Sequence, residues 1–170
     1  MKVQSNFEQK IQQYEKYVQK AALIAGQLAV SFFKDNFRRQ GFKDGGIVHP
    51  WRARANPLSG RNILIGQGRA RLRSSIRLER SSSTFAVIAT DVPYAEIHNN
   101  GGTIHQQVTA KQKAYFWAMF KRTKNDMWKR MALSSELHIQ IPQRKFMGES
   151  TDLNEEILQE FQANIKKIFD

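Results

Sequence analysis

Cysteine is absent from the 170 residues, which excludes a disulfide scaffold, a cysteine-ligated zinc site and a thiol nucleophile. The long apolar stretch without charge, residues 21–33, has only 13 residues. A bilayer-spanning helix needs roughly 20, so no membrane role is expected. Met1 runs straight into polar residues (Lys2, Gln4, Ser5, Asn6), and no secretory signal is visible. Acidic residues are scarce as well: 15 against 27 Lys plus Arg, a net charge of +12. Such an excess points to a polyanion or an acidic protein surface as neighbour and says nothing about fold.

What is present fits one domain spanning 1–170, because 41% apolar residues supply a core without staples. The charge is segregated. Residues 38–80 hold eleven basic residues against Asp44 and Glu79, a net of +9. Residues 111–130 hold seven against Asp126, a net of +6, while residues 149–170 hold six acids and two lysines, a net of −4. A basic middle and an acidic tail let copies attract one another, or let one molecule meet different partners at its two ends. A solvated basic surface with no specific partner is the plain alternative.

Phe7, Ile11, Tyr14, Val18, Ala21, Ala25, Leu28 and Phe32 recur in steps of four and three, which predicts one helix from about 4 to 37 with a single apolar stripe. The small Ala21 and Ala25 favour close packing over a coiled coil, and Gly26 and the Gly41 region are the expected weak points. Glycines and prolines from Gly41 to Gly68 interrupt any period and predict a long loop or arm over about 41–68, carrying Trp51, Arg52, Arg54 and Arg61. Beyond it, alternation around Ile76 and Leu78 and the run Phe85–Ala89 predict a hairpin across Ser81–Ser83. Tyr94 to Asn99 suits one helical turn closed by Gly101-Gly102. Thr103 to Val108 reads as a strand. Thr109 and Gln112 form a capping-box pattern opening a helix to about Met131. Glu136 to Ile141 alternates again and stops at Pro142. Asp152 to Glu155 should cap a last helix with the stripe Leu153, Ile157, Phe161, Ile165, Ile168. The expected class is α+β: a long N-terminal and a C-terminal helix on a mainly antiparallel sheet, with a further helix between the later strands.

No catalytic constellation emerges. Among the four histidines, His98 has Asp91 and Glu96 nearby, but Glu96 and His98 face different sides of a turn, and a metal site needs three converging ligands. Gly66-Gln67-Gly68 lacks the rest of a phosphate loop. The serine runs have no partner base at a recognisable spacing. The expectation is therefore no enzyme, no cofactor and no metal. The predicted second helix interleaves Tyr115, Phe116, Trp117, Phe120 and Trp128 with Lys and Arg. This pattern suits stacking on single-stranded nucleic acid, or equally a core and subunit contact at helical spacing.

Three segments in order resemble the phage virion morphogenesis proteins, the tail-completion or tail-terminator-like family with Mu-like members. Residues 68–76, Gly-Arg-Ala-Arg-Leu-Arg-Ser-Ser-Ile, look like its Gly-x-Leu-x-x-Ser-Ile segment with extra residues after the glycine. Pro93 to Gly102 matches its Pro-Tyr-Ala-x-Ile-His-x-x-Gly-Gly segment. Ile141 to Gly148 resembles its Ile-Pro-x-Arg-x-Phe-Leu-Gly segment. The match covers about 66–170, with the long first helix also in keeping.

The resemblance implies a structural virion protein of a tailed phage or prophage. It would complete the tail end and help join tail to head as a ring, hexameric by the same resemblance, located in the virion and in the host cytoplasm during assembly. Its implied partners are copies of itself, tail-tube proteins and head-neck proteins. The best-matching residues, Pro93, Tyr94, His98, Gly101, Gly102, Pro142 and Gly148, read as structural turns. Arg69, Arg71, Arg73 and Arg77, with Glu155, Glu156 and Glu160 on the last helix, are the expected complementary interface residues, since head-to-tail rings need two different surfaces. A basic DNA-binding protein is the alternative from another class.

Overall fold

The computed structural model describes residues 2–53, 62–65 and 70–170. Helix α1, Lys2–Arg39, has 38 residues and runs about 57 Å. It does not break at Gly26. That glycine is buried, and a Cβ there would lie 2.7 Å from Leu78 Cδ1 and 2.8 Å from Ala86 Cβ. The missing side chain is thus a notch that seats strands β3 (Arg77–Ser81) and β4 (Ala86–Ala89) on the helix. The weak point expected at Gly26 is a packing contact instead. Helix α6, Thr151–Phe169, lies along α1, with Tyr17 edge-on to Phe161 and Tyr14 against Phe169.

The class is α+β with antiparallel pairing, and the pairing comes as three separate hairpins. The first corrects the expected loop over 41–68. Strands β1, Gly41–Asp44, and β2, Ile47–Pro50, pair from Gly41↔Pro50 to Asp44↔Ile47. Gly45 and Gly46 form the two-residue turn with φ of 61° and 76°, a combination glycine adopts without strain and which matches strand twist. The rest of that stretch includes 54–61 and 66–69, which lie outside the described residues. The second hairpin, β3–β4, follows a short helix α2, Arg71–Ser75, that buries Leu72 and leads into buried Ile76. The third pairs β5, Gly102–Gln107, with β6, Glu136–Ile141.

The core lies where the C-terminal end of α1 meets these pieces. Phe37 is fully buried, tilted against Phe146 at 5.1 Å and edge-on to Trp51 at 5.3 Å. Phe32, Phe33, Phe42, Leu72, Ile76 and Val92 belong to the same cluster. Each such side chain contributes about 1.5–3 kcal/mol relative to exposure.

Residues 102–141 leave this body as an arm. Its strands pair with each other, its helices α4 (Ala110–Thr123) and α5 (Asp126–Leu133) pack on each other, and neither pair is built into the body's core. The capping box forms as expected: Thr109 Oγ1 accepts from Gln112 N, and Gln112 Oε1 accepts from Thr109 N. The single helix expected to Met131 is broken into two. Lys124 takes φ 54° and ends α4, and Asn125 Oδ1 caps α5 by accepting from Met127 N. The break folds the chain so that Phe116 and Tyr115 meet Trp128.

Candidate functional site

The two segments that carry the strongest motifs are brought together. Helix α3, Ala95–Asn100, is a turn and a half started by Val92 C=O accepting from Ala95 N. It ends at Gly101, whose N–H donates to Ile97 O at 2.9 Å. Its C-terminal end grips the 142–148 loop. His98 O accepts from Arg144 N at 2.8 Å, and Asn99 Oδ1 accepts from Phe146 N and Met147 N, both at 2.9 Å. Gly101 takes φ 74°, and a Cβ there would stand 2.8 Å from Gln143 N. Only glycine combines that backbone with that approach.

The loop is anchored from its other side too. Asn36, fully buried on α1, donates to Phe146 O at 3.2 Å and accepts from Lys43 N. Trp51 Nε1 donates to Lys145 O at 2.7 Å. The buried Arg144 guanidinium donates to Arg52 O, and Lys145 Nζ stands 4.1 Å over the Phe42 ring. Pro142 is half-buried at the entry to the loop, and Gly148, at φ 144°, is exposed at its exit. Pro93 and Tyr94 are exposed at the start of α3. His98 is half-buried and edge-on to Tyr94. Its Nδ1 is buried with no hydrogen-bond partner, and desolvation, then the Arg144 charge, holds its pKa below the usual imidazole range. The hydrogen bonds of this clasp all hold backbone groups. The clasp also fixes the root of the arm, since β5 begins directly after Gly101 and β6 ends directly before Pro142.

The last helix is tied to the first hairpin. Ser150 Oγ is its N-cap, accepting from Leu153 N and donating to Lys43 O. Asp152 is not the expected cap. It pairs with Lys43 Nζ at 2.6 Å and accepts from Gly46 N at 2.9 Å. Asp44 accepts from Thr151 N and Oγ1. Both carboxyls are held below the ordinary range, Asp152 chiefly by the hydrogen bond from Lys43 and Asp44 chiefly by that from Thr151 N.

The expected interface residues fall as follows. Arg69 lies outside the described residues. Arg71 is exposed and Arg73 half-buried on α2, while Arg77 is exposed with Nη1 3.4 Å from Asp91 Oδ1. Glu155, Glu156 and Glu160 are exposed on α6, and Glu160 Oε1 accepts from Asn164 Nδ2. The two sets sit on different elements, each packed on α1.

Asp91, Glu96 and His98 do not form a ligand set. Among the described residues the group whose donor atoms converge is His105, Glu136 and His138 on the arm, all within 4.8 Å of one another. Sequence spacing hides this trio, because 31 residues separate Glu136 from His105 and only the strand register unites them.

A sequence profile of the phage virion morphogenesis family matches residues 2–166. The chain belongs to that family. The match takes in α1, the clasp, the arm and nearly all of α6, so the long first helix belongs to the family unit as well. No curated protein and no solved structure matches the chain significantly. Family membership gives a structural role in phage virion assembly and a virion-associated protein. No helix among the described residues is long and apolar enough to cross a membrane.

Proposed function

We propose that this member of the family completes the tail end and helps join tail to head, acting as a closed ring of copies at the neck. The observation that carries the reading is the arm. It is rooted by the rigid clasp, and its tip leaves Tyr115, Trp117, Met127 and Leu133 exposed, the last at 66%. Large apolar side chains left exposed on a projection are what a partner surface covers. The N-terminal half of α1 adds exposed Phe7, Tyr14 and Val18. The tip is basic, with seven Lys and Arg against Asp126 over 111–130, whereas α6 presents Glu155, Glu156 and Glu160. Two unlike surfaces of opposite charge on one subunit suit head-to-tail association.

Native mass spectrometry and negative-stain imaging of the purified chain test this. Closed rings of fixed copy number are expected, and an assembly-defective phage carrying a disrupted copy of this gene should accumulate unjoined heads and tails. Only monomers at all concentrations, with normal joining in the disrupted phage, would overturn it.

A second reading has its own support. Exposed Tyr115 and Trp117 stand among the basic residues of the arm tip, as they would on a surface that stacks bases and neutralises phosphates. Binding of single-stranded DNA, lost on replacing both aromatics while assembly persists, would favour it.

A further inference from the structure

The arm carries a feature that neither ring formation nor DNA binding uses. His105 and His138 face each other directly across the β5–β6 hairpin, with ring centroids 4.6 Å apart. Glu136 lies two residues before His138 on the same strand and so projects from the same face. Its carboxylate spans the two rings: Oε1 is 3.4 Å from His105 Nδ1, and Oε2 is 3.7 Å from His138 Nε2.

We propose that His105, Glu136 and His138 bind a divalent transition-metal ion of the zinc class, which staples the two strands of the arm. Two imidazoles and one carboxylate are a donor set that zinc, nickel or copper accepts, while calcium and magnesium favour oxygen. Donors on a tetrahedral zinc lie about 3.3 Å apart, given metal–ligand lengths near 2.0–2.1 Å. The 3.4 and 3.7 Å separations are close to that value, and all three donors lie within 4.8 Å of one another, so rotation of these exposed side chains can draw them onto one ion. Both histidine side chains are more than half exposed, so an ion has an open approach and water can complete the coordination sphere.

The position gives the site a consequence. Ser134, which ends α5, donates through Oγ to the carbonyl of Glu136, and Val108 N donates to Ser135 O at the same level. The trio thus sits where the strands hand over to the helical tip. Linking β5 to β6 there would fix the tip's orientation relative to the clasp at the arm's root.

The test is titration of the full-length protein with cobalt(II), read by visible absorption, and with zinc, read by calorimetry. Saturation at one ion per chain is expected. Hydrogen exchange across 102–141 should slow in zinc relative to chelator. H105A/H138A should abolish both effects, while H49Q and H98Q leave them intact. E136Q should weaken affinity by about tenfold or more, since it withdraws the charged ligand. The double variant should match the wild type in circular dichroism and melting temperature in chelator, because both rings are exposed. If it does not fold, H105Q alone carries the test through its cobalt affinity. Absence of saturable binding, binding unchanged in the histidine variants, or one ion per two chains would each overturn the proposal.

Discussion

Asn99 Oδ1 accepts the backbone N–H groups of both Phe146 and Met147, each at 2.9 Å. One side chain thereby joins the two motif-bearing segments, and Phe146 next to it is 1% exposed. Losing Asn99 removes the acceptor that both amides share, and an unpaired amide in such a place costs about 1–3 kcal/mol. Asn99→Ala is therefore expected to lower unfolding free energy by about 2 kcal/mol in urea titration. Asn99→Asp, which keeps the acceptor, should retain most of the stability.

Gly101 sets a stricter limit. Its φ of 74° is unfavourable for any residue with a Cβ, and the added atom would collide with the Gln143 backbone rather than a movable side chain. Gly101→Val should cost about 3 kcal/mol or more, combining strain with the clash. Gly102→Val is also strained, at φ 154°, but meets only the tip of Ile97. Each should be far more damaging than His98→Gln, by denaturant midpoint. Valine variants that unfold at the wild-type midpoint would refute the account of the turn.

The contrast between these residues and others shows what could be read from sequence. The helices α1 and α6 were legible because their stripes run for many turns, and Thr109 with Gln112 announced a helix start through a purely local pattern. The β1–β2 hairpin was not, because Gly45-Gly46 reads equally as an interruption or as a tight turn, and the flanking strands are only four residues long. The break between α4 and α5 has no glycine or proline to mark it; Lys124 takes the left-handed conformation with its N–H donating to Phe120 O, and the chain beyond returns to set Trp128 against Phe116. Asp152 had the composition of a cap, but its tertiary partner Lys43 lies 109 residues away. The His105, Glu136, His138 trio depends on register, which sequence leaves open.

The pairs at the start of α6 predict a response to acid. Asp44 and Asp152 have folded-state pKa values below the ordinary aspartate range, so the unfolded chain binds more protons as pH drops. Stability is then fully present above about pH 4, the unfolded value, and is lost as pH falls through the lower folded values. Melting temperature should decline steeply below about pH 4. The D44N/D152N variant should start lower at neutral pH and show a shallower decline.

His98 acts in a higher window. Its folded pKa is depressed by burial and by Arg144, so its contribution to stability is present above the unfolded value near 6.5 and fades as pH falls below it. His98→Gln, which cannot take up the proton, should flatten the melting-temperature profile between about pH 6.5 and 5. A profile identical to wild type would show that the buried Nδ1 is not what resists protonation.

The last prediction concerns association through charge. Arg71 is exposed on α2, and exposed Arg77 reaches both Asp91 Oδ1 and Ser75 O through Nη1, each at 3.4 Å; its exposed ion pair is worth under about 1 kcal/mol. Reversing both, as Arg71→Glu with Arg77→Glu, should leave the monomer's melting temperature nearly unchanged, because neither side chain is in the core. If these arginines meet Glu155, Glu156 and Glu160 of a neighbouring copy, the same change should prevent ring formation, since a weak contact repeated around a ring is lost at every interface at once. Adding Glu156→Lys and Glu160→Lys to the same chain should restore association by exchanging the signs. Rescue in native mass spectrometry would identify the pairing. Wild-type rings in the arginine double variant would sink it, and intact rings with lost DNA binding would move the arginines to the nucleic-acid reading.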